Sequence, residues 1–223
     1  MTVDISPFDA IVHRCAKPLS HPVLSLVRPS DAAELRSLID ITDPVERHRS
    51  GERPLFEPAD DYVGNHREYV LAPFASPPPS RFSDGSFGVL YAGLEIETAI
   101  RESAYWLGVT YRDAPPPAGV MPRKIYLTMR IRSDSMADIR HDSRSLIPQS
   151  VYDPDDYMIS RQLGIQVHGE RREGIWYDSV RNKKGCCAGA FRPRIISNVR
   201  VQGEYEFSWN GARFAEAKPI IRL

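Results

Sequence analysis

The sequence predicts one domain of the mixed α+β class, in which strands outnumber helices. Apolar runs predict strands over 11–15 and 174–180, and alternating apolar and polar residues predict another over 124–132. Helix-like spacing of apolar residues occurs over 32–39 and 153–166, between those groups of strands. Helices that separate groups of strands favour an α+β domain over a regular alternation of strand and helix.

A proline-rich segment follows the first predicted strand and helix. Residues 52–80 hold six prolines and little periodicity, so we predict a long loop or lid rather than core. This insertion extends over about 44–80. We expect residues 1–223 to form a single domain that carries it.

Residues 81–103 form a compact unit of loop, strand and helix. The loop contains Arg81 and Gly85, a short apolar strand ends near Tyr91, and the helix carries Glu102. A cation, an aromatic ring and a carboxylate therefore occur close together in the chain. These groups can hold an anionic nucleotide and stabilise a cationic sugar transition state.

The C-terminal part is predicted to contain one helix and several strands. Asp153 and Pro154 are typical of a helix start, with Asp as the N-cap and Pro at the first helical position. We therefore expect the helix over 153–166 to begin there. Short strands are expected over 194–197 and in a hairpin over 205–214.

The charge balance argues against a general nucleic-acid binder. Lys plus Arg and Asp plus Glu both number 29, whereas such binders usually show a basic excess or stripe. Two segments, 123–144 and 161–183, are locally rich in arginine. We nevertheless expect no direct nucleic-acid partner.

The cysteines and the hydropathy favour a reduced, cytoplasmic protein. Cys15, Cys186 and Cys187 are odd in number and include an adjacent pair, so they form no regular disulfide framework. No spacing of Cys and His is typical of zinc, and we expect no metal. No leader-like or membrane-spanning apolar run is present, so no membrane association is expected.

Several short motifs follow one another along residues 13–195. They are His13–Arg14, 81–82, 89–91, Glu102, 174–180 and 185–191. In their order and spacing, these motifs resemble the RES domain. Glu102 fits the family's Glu and Ser179 its Ser, while the family's Arg is either Arg14 or Arg81.

The chain departs from the family pattern in two places. Asp178 stands where a proline often precedes the family's Ser. The segment that follows usually contains Asn-Pro, and residues 188–193 replace it here. The second departure leaves the role of that loop open.

The resemblance implies an ADP-ribosyltransferase-like fold and an activity that consumes NAD as a co-substrate. The family is the toxin half of a toxin–antitoxin pair, and an Xre-like antitoxin is expected to cover the active site. Some members hydrolyse or phosphorolyse NAD, and others transfer ADP-ribose to a protein. Residues 81–88 resemble the transferases that modify phosphoribosyl pyrophosphate synthetase, which makes that enzyme a candidate acceptor.

Glu102 is the expected catalytic carboxylate. Loss of nicotinamide from NAD leaves an oxocarbenium-like ribose, which a nearby carboxylate stabilises. Glu95 and Glu97 are alternates, although they fit better as acidic residues that favour the helix start. Ser179 is expected to hydrogen-bond a ribose or the catalytic Glu, since no motif of a serine nucleophile is present.

Arg14 and Arg81 are expected to bind the NAD pyrophosphate, because a guanidinium can contact it with two parallel hydrogen bonds. Tyr91 is expected to stack on the nicotinamide ring or to be a half-buried strand residue. His13 and His66 are further candidates for nucleotide contacts. The other aromatic residues considered, Tyr152, Tyr157 and Trp176, are expected in the core.

Three other functions remain open from the sequence. The chain could degrade NAD without a protein target, cleave RNA with a His and Glu pair, or act as a non-catalytic binding module. Phe74, Phe82 and Phe87 lie near the proline-rich loops and are expected to form an exposed protein-binding patch.

Overall fold

The computed structural model describes residues 1–18, 57–75, 77–112, 121–210 and 213–220. These residues form a mixed α+β domain with seven strands and three α-helices. The expected α+β class is therefore confirmed, while the outer bounds 1–223 of the domain stay a prediction. The strands are β1 (Asp4–Ala16), β2 (Leu90–Gly93), β3 (Arg123–Asp138), β4 (Gly174–Asp178), β5 (Cys186–Ala190), β6 (Ile196–Trp209) and β7 (Phe214–Ile220), and the helices are α1 (Arg67–Ala75), α2 (Ile96–Thr110) and α3 (Met158–Gly169).

The strands form one sheet in the order β1-β2-β5-β4-β3-β6-β7, and β3 also pairs with β1. This extra pairing closes β1, β2, β5, β4 and β3 into a ring. It is possible because β3 is long: Arg123–Ile131 pairs with β6, and Met136–Asp138 pairs in parallel with β4. All the other pairings are antiparallel.

Two groups of buried side chains hold α1 and α3 against this sheet, and a third joins Leu107 of α2 to Phe207 and Phe214. Val70 and Leu71 of α1 are fully buried in one group, together with Leu127 and Ile131 of β3. The second group joins α3 to the loop before β2 and to β4; its fully buried members include Phe82, Leu163, Val167 and Ile175. Burial of such side chains is the main stabilising term of folding.

Gly164 sets how closely α3 approaches the loop that carries Arg81. A Cβ atom at position 164 would collide with the backbone carbonyl of Phe82. The absence of a side chain there lets α3 pack directly against the main chain next to Arg81. The position of Arg81 therefore depends on this helix.

The proline-rich segment differs from its prediction. Residues 67–75 form α1, which contains Pro73, and its side chains belong to the core rather than to a loop or lid. Pro73 lies in the last turn, where a proline disturbs the helix less than in its middle. Residues 44–56 of the predicted insertion and the predicted helix over 32–39 lie outside the described residues.

Three further expectations are corrected. The helix predicted from Asp153 begins at Met158, because Asp153 Oδ1 accepts hydrogen bonds from the N–H groups of Asp155 and Asp156 and holds a turn instead. The strand predicted from Arg194 begins at Ile196, after a single 3-10 turn over Pro193–Ile195.

The third correction concerns the expected patch of exposed phenylalanines. Phe74 and Phe82 are buried, and Phe82 packs edge-on against Tyr177 with ring centroids 4.9 Å apart. Phe87 is partly buried and stacks on His168 at 3.9 Å. These side chains fill the core, so they do not form a protein-binding patch.

Candidate active site

Glu102 and Ser179 form the centre of the candidate site. Glu102 lies on α2, and Ser179 directly follows β4. The Ser179 hydroxyl donates a 2.7 Å hydrogen bond to Glu102 Oε1. The same hydroxyl accepts hydrogen bonds from the backbone N–H groups of Arg181 and Asn182, at 3.1 and 3.0 Å. The turn thus fixes the hydroxyl, and its one proton is directed at the carboxylate.

The start of α2 is fixed to the same turn. Asn182 Nδ2 donates to Thr98 Oγ1 at 2.9 Å, and Thr98 Oγ1 donates to Glu95 Oε2 at 2.7 Å. Gly185 also lies close against the Thr98 side chain. These contacts hold α2 at the distance that brings Glu102 to Ser179.

The two alternate carboxylates take other roles. Glu95 is the N-cap residue of α2, and its side chain is bound by Thr98. Glu97 is exposed and forms an ion pair with Arg101 at 2.6 Å. Neither carboxylate contacts Ser179, which leaves Glu102 as the one of the three that is held there.

A buried thiol lies beside the Glu102 carboxylate. Cys187 Sγ is 4.0 Å from Glu102 Oε1. Burial raises the pKa of Cys187 well above its ordinary value, and the negative charge of Glu102 raises it further. Cys187 is therefore a neutral thiol, and it contributes no second negative charge to the site.

Arg81 is almost fully buried, and its guanidinium is anchored on one side. Its Nη1 atom donates to the carbonyl oxygens of Val151 and Asp153, at 3.2 and 3.0 Å. The guanidinium carbon lies 4.4 Å from the centre of the Tyr157 ring. Within the described ranges, no hydrogen bond engages Arg81 Nε or Nη2.

Two more arginines converge on Tyr157, and with Arg81 they form what we call the arginine cluster (Arg81, Arg161 and Arg181). The guanidinium carbon of Arg161 lies 5.7 Å from the Tyr157 ring centre, and Arg161 Nε donates to the Ser80 carbonyl at 2.9 Å. Arg181 Nη2 lies 3.4 Å from the Tyr157 hydroxyl and also binds the Pro154 carbonyl. No ion pair joins these three guanidinium groups to a carboxylate of the residues described.

The arginine cluster is connected directly to the carboxylate. The backbone N–H of Arg181 donates to Ser179 Oγ, and Ser179 donates to Glu102. A continuous series of contacts therefore runs from Arg81 through Tyr157, Arg181 and Ser179 to Glu102. Such a site can hold an anion beside a carboxylate that stabilises a developing positive charge.

Tyr91 joins the Arg81 loop to Arg14. Its hydroxyl lies 2.9 Å from Ser80 Oγ and accepts a 3.0 Å hydrogen bond from the Phe82 N–H. Its carbonyl accepts a 2.6 Å hydrogen bond from Arg14 Nη1. Burial raises the pKa of Tyr91 to about 12, so its hydroxyl stays neutral. These contacts give Tyr91 a structural role; stacking on nicotinamide stays a prediction.

Arg14 and His13 lie on β1, apart from the arginine cluster. Burial lowers the pKa of Arg14 to about 10, and its Nε atom is buried without a hydrogen-bond partner. His13 Nδ1 lies 2.8 Å from the Tyr126 hydroxyl, and burial lowers the pKa of His13. Neither residue contacts Glu102, so nucleotide contacts by Arg14 and His13 stay predictions. His66 precedes α1, with Glu68 3.9 Å away.

The sequence interpretation missed several residues of this region. Tyr157 is buried, as expected, but no sequence pattern indicated that three arginines converge on it. Tyr105, Trp106 and Arg181 were not identified at all. Helical spacing could have identified Tyr105 and Trp106. They follow Glu102 by three and four positions, which places all three residues on one face of α2.

The described part of the chain shows neither a cluster of metal ligands nor a membrane-spanning helix. There, no group of three or more His, Cys, Asp and Glu side chains could hold a metal ion. In the same residues, no helix is both long and apolar enough to cross a membrane.

Comparison with known proteins identifies the family. The sequence model of the RES domain matches residues 59–210. The chain belongs to the RES domain family. The matched span of this RES domain includes Arg81, Tyr91, Glu102 and Ser179, and it begins after Arg14.

A distant similarity to a solved structure was also found. The RES domain is similar to a chain in the crystal structure of the M. tuberculosis MbcT–MbcA toxin–antitoxin complex, with 12% sequence identity and a TM-score of 0.44. The similarity covers 66% of this chain and 81% of that chain. No curated protein sequence matched the chain.

Proposed function

We propose that this RES domain is the toxin of a toxin–antitoxin pair and that it splits the N-glycosidic bond of NAD. The ADP-ribose is then transferred to a protein acceptor. The observation that carries the proposal is the 2.7 Å hydrogen bond from Ser179 to Glu102, next to three arginines that form no ion pair with a carboxylate of the described residues. Family membership supports the choice of NAD as the substrate.

In the proposed reaction, the bond between nicotinamide and the ribose C1′ breaks, and its electron pair leaves with neutral nicotinamide. Positive charge develops on the ribose, and Glu102 stabilises it electrostatically. Ser179 orients the carboxylate by its hydrogen bond. The arginine cluster holds the pyrophosphate, so that the ribose lies beside Glu102.

The acceptor decides the subclass of the activity. A nucleophilic side chain of a protein forms the new bond to C1′ and loses its proton to solvent. Phosphoribosyl pyrophosphate synthetase is the candidate acceptor that the resemblance suggests. Water or phosphate attacking the same carbon would instead make the chain an NAD glycohydrolase or phosphorylase.

The proposal also includes the cellular setting. An antitoxin of the Xre-like class would cover the cleft and prevent NAD from entering. Release of the toxin in the cytoplasm would then consume NAD and arrest growth.

The test is mass spectrometry of NAD incubated with the purified protein, for the wild type and for Glu102→Gln. We expect nicotinamide release by the wild type and a loss of about 10²–10³-fold in the variant, the usual effect of removing one preorganised electrostatic group. A cell lysate supplies possible acceptors, and intact-mass measurements show whether ADP-ribose becomes attached to protein or stays free.

Glu97→Gln is the matched control, because Glu97 lies on the same helix but is exposed and paired with Arg101. It should release nicotinamide at the wild-type rate. Equal loss in both variants, or no nicotinamide release by the wild type with lysate present, would contradict the proposal. RNA cleavage without NAD loss would then favour the RNA-cleaving alternative.

A further inference from the structure

A cavity of about 470 Å³ lies next to the arginine cluster, on the side away from Glu102 along α2. Its volume is in the range of small-molecule sites, roughly 300–1,000 Å³. It is lined by Tyr105 and Trp106 of α2, by Arg112 just after the end of α2, and by Asp155, Tyr157 and Arg161. Tyr157 and Arg161 thus belong both to the cavity and to the contacts around the arginine cluster.

We propose that this cavity binds the adenylate half of NAD. The adenine base lies against Trp106, and its phosphate is held by Arg161 and Arg181. This assignment rests on the proposed NAD-splitting function and names the part of the substrate that the proposal left unplaced.

The first argument is the charge around Tyr157. Arg81, Arg161 and Arg181 all contact its ring or hydroxyl, and none forms an ion pair with a described carboxylate. Like charges held this close repel each other, so an anion between them relieves the repulsion as well as gaining hydrogen bonds. A pyrophosphate offers several acceptor oxygens and negative charge in one group.

The second argument is the aromatic wall. Trp106 is 42% exposed although it is large and apolar. Its ring centre lies 5.6 Å from that of Tyr105 and 6.2 Å from that of Tyr157. A planar base can stack on such a surface, and base–aromatic stacking is a common source of nucleotide affinity.

The third argument is the position along α2. Trp106 follows Glu102 by four residues, so the two lie on one face, about 6 Å apart along the helix axis. One extended dinucleotide can therefore contact both. The ribose that reacts lies at Glu102, the phosphates at the arginine cluster, and the base at Trp106.

Asp155 is the negative group of the cavity, and it does not exclude a nucleotide. The Tyr105 hydroxyl donates to Asp155 Oδ1 at 3.0 Å, which fixes the carboxylate at the cavity wall. Its other oxygen is then available to accept a hydrogen bond from the adenine amino group or a ribose hydroxyl.

The test is calorimetric binding of AMP, which lacks the nicotinamide riboside half of NAD. We expect AMP to bind the wild type and Glu102→Gln equally, and Trp106→Ala about tenfold more weakly. Trp106→Phe keeps an aromatic face and should bind within about twofold of the wild type. Arg161→Gln should weaken binding, whereas Arg132→Gln, an exposed arginine on β3, should not.

Kinetics with NAD give the second readout. Trp106→Ala should raise KM for NAD about tenfold and leave kcat nearly unchanged, because the base does not take part in bond cleavage. AMP should compete with NAD in the wild type and lose that competition in Trp106→Ala.

The inference is overturned if AMP does not bind, or if it binds Trp106→Ala as tightly as the wild type. Loss of protein modification in Trp106→Ala with an unchanged KM for NAD would also overturn it and assign the cavity to the acceptor. Failure of the NAD-splitting proposal is separate, since it shows as absent nicotinamide release whatever AMP does.

Discussion

Arginine side chains lie over aromatic rings in two regions of this molecule, but their charges are balanced in only one. In the arginine cluster, three guanidinium groups surround Tyr157 and Tyr105 without an ion pair to a described carboxylate. In the other region, Arg140 lies 3.3 Å from the Trp176 ring centre and binds both Asp138 oxygens, at 2.9 and 2.7 Å. We call the second region the paired cluster (Asp138, Arg140, His141 and Asp178).

The difference is between an arginine whose charge is compensated and arginines whose charge is not compensated by a described carboxylate. In the paired cluster, the Arg140 charge is compensated, so it can hold the sheet together but has little left to offer a ligand. The guanidinium groups of the arginine cluster have no ion-pair partner among the described carboxylates, so their charge is available to an anionic ligand. The two regions meet at the end of β4, where Asp178 contacts His141 of the paired cluster and the next residue, Ser179, contacts Glu102.

The largest expected effect is on the stability of the paired cluster. Arg140→Gln leaves the almost fully buried Asp138 carboxylate without its cation, and we expect a loss of about 3 kcal/mol in the free energy of unfolding. The KM for NAD should not change. Denaturant unfolding and NAD kinetics on the same preparation check both statements, and a raised KM would remove the distinction between the regions.

The matching substitution in the arginine cluster is Arg81→Gln. It removes the positive charge and the guanidinium fork, so we expect KM for NAD to rise about 10- to 100-fold. The loss of stability should be smaller than in Arg140→Gln, because no buried carboxylate loses its cation. Steady-state kinetics and thermal unfolding measure the two effects, and a stability loss without a change in KM would contradict the assignment.

A smaller effect is expected from Ser179→Ala. Without the hydroxyl, Glu102 loses the hydrogen bond that orients it, and kcat should fall about tenfold while KM changes less than twofold. Ser179→Thr retains the hydroxyl and should restore most of kcat. A fall in Ser179→Ala that Thr does not restore would indicate a packing role for this residue instead.

The smallest effect concerns the pH dependence of the paired cluster. The hydrogen bond that the His141 ring donates to Asp178 raises the pKa of His141 above its ordinary value of 6.5. The contribution of the His141–Asp178 pair to the stability of the folded state is therefore fully present below pH 6.5. It is lost as the pH rises through the raised pKa of His141. His141 is more than half exposed, so we expect less than about 1 kcal/mol.

Proton NMR titration of His141 in the wild type and in Asp178→Asn checks this. The pKa of His141 should fall in the variant, and the unfolding free energy should lose its dependence on pH between 6.5 and 8. An unchanged pKa in Asp178→Asn would show that Asp178 is not its cause.

The sequence predicted the individual strands and helices of the site better than the side-chain contacts between them. Strand and helix periodicity predicted the strands at β1, β3 and β4 and the helix that carries Glu102. The contact between Glu102 and Ser179 joins positions 77 residues apart, and no local pattern encodes a contact of that separation. Only the resemblance to the RES domain pointed to both residues.

The wrong predictions share one physical cause, which is tertiary contact overriding local pattern. Proline content suggested a loop where α1 is stabilised by the burial of Val70 and Leu71. The burial of Tyr157 was predicted correctly, but the contacts of its ring with arginine side chains were not. Its neighbours Arg81 and Arg181 are distant in sequence, so their convergence on it could not be predicted.

The burial of the thiol next to Glu102 affects how readily the cysteines of the protein react with oxidants. Burial raises the pKa of Cys15 and of Cys186 to about 11, and that of Cys187 well above its ordinary value. Raised pKa values keep these thiols protonated at neutral pH, whereas the thiolate is the form that reacts with peroxide or maleimide. Cys187 beside Glu102, and Cys186 beside Asp178, are therefore expected to resist oxidation, so that peroxide does not inactivate the site through them.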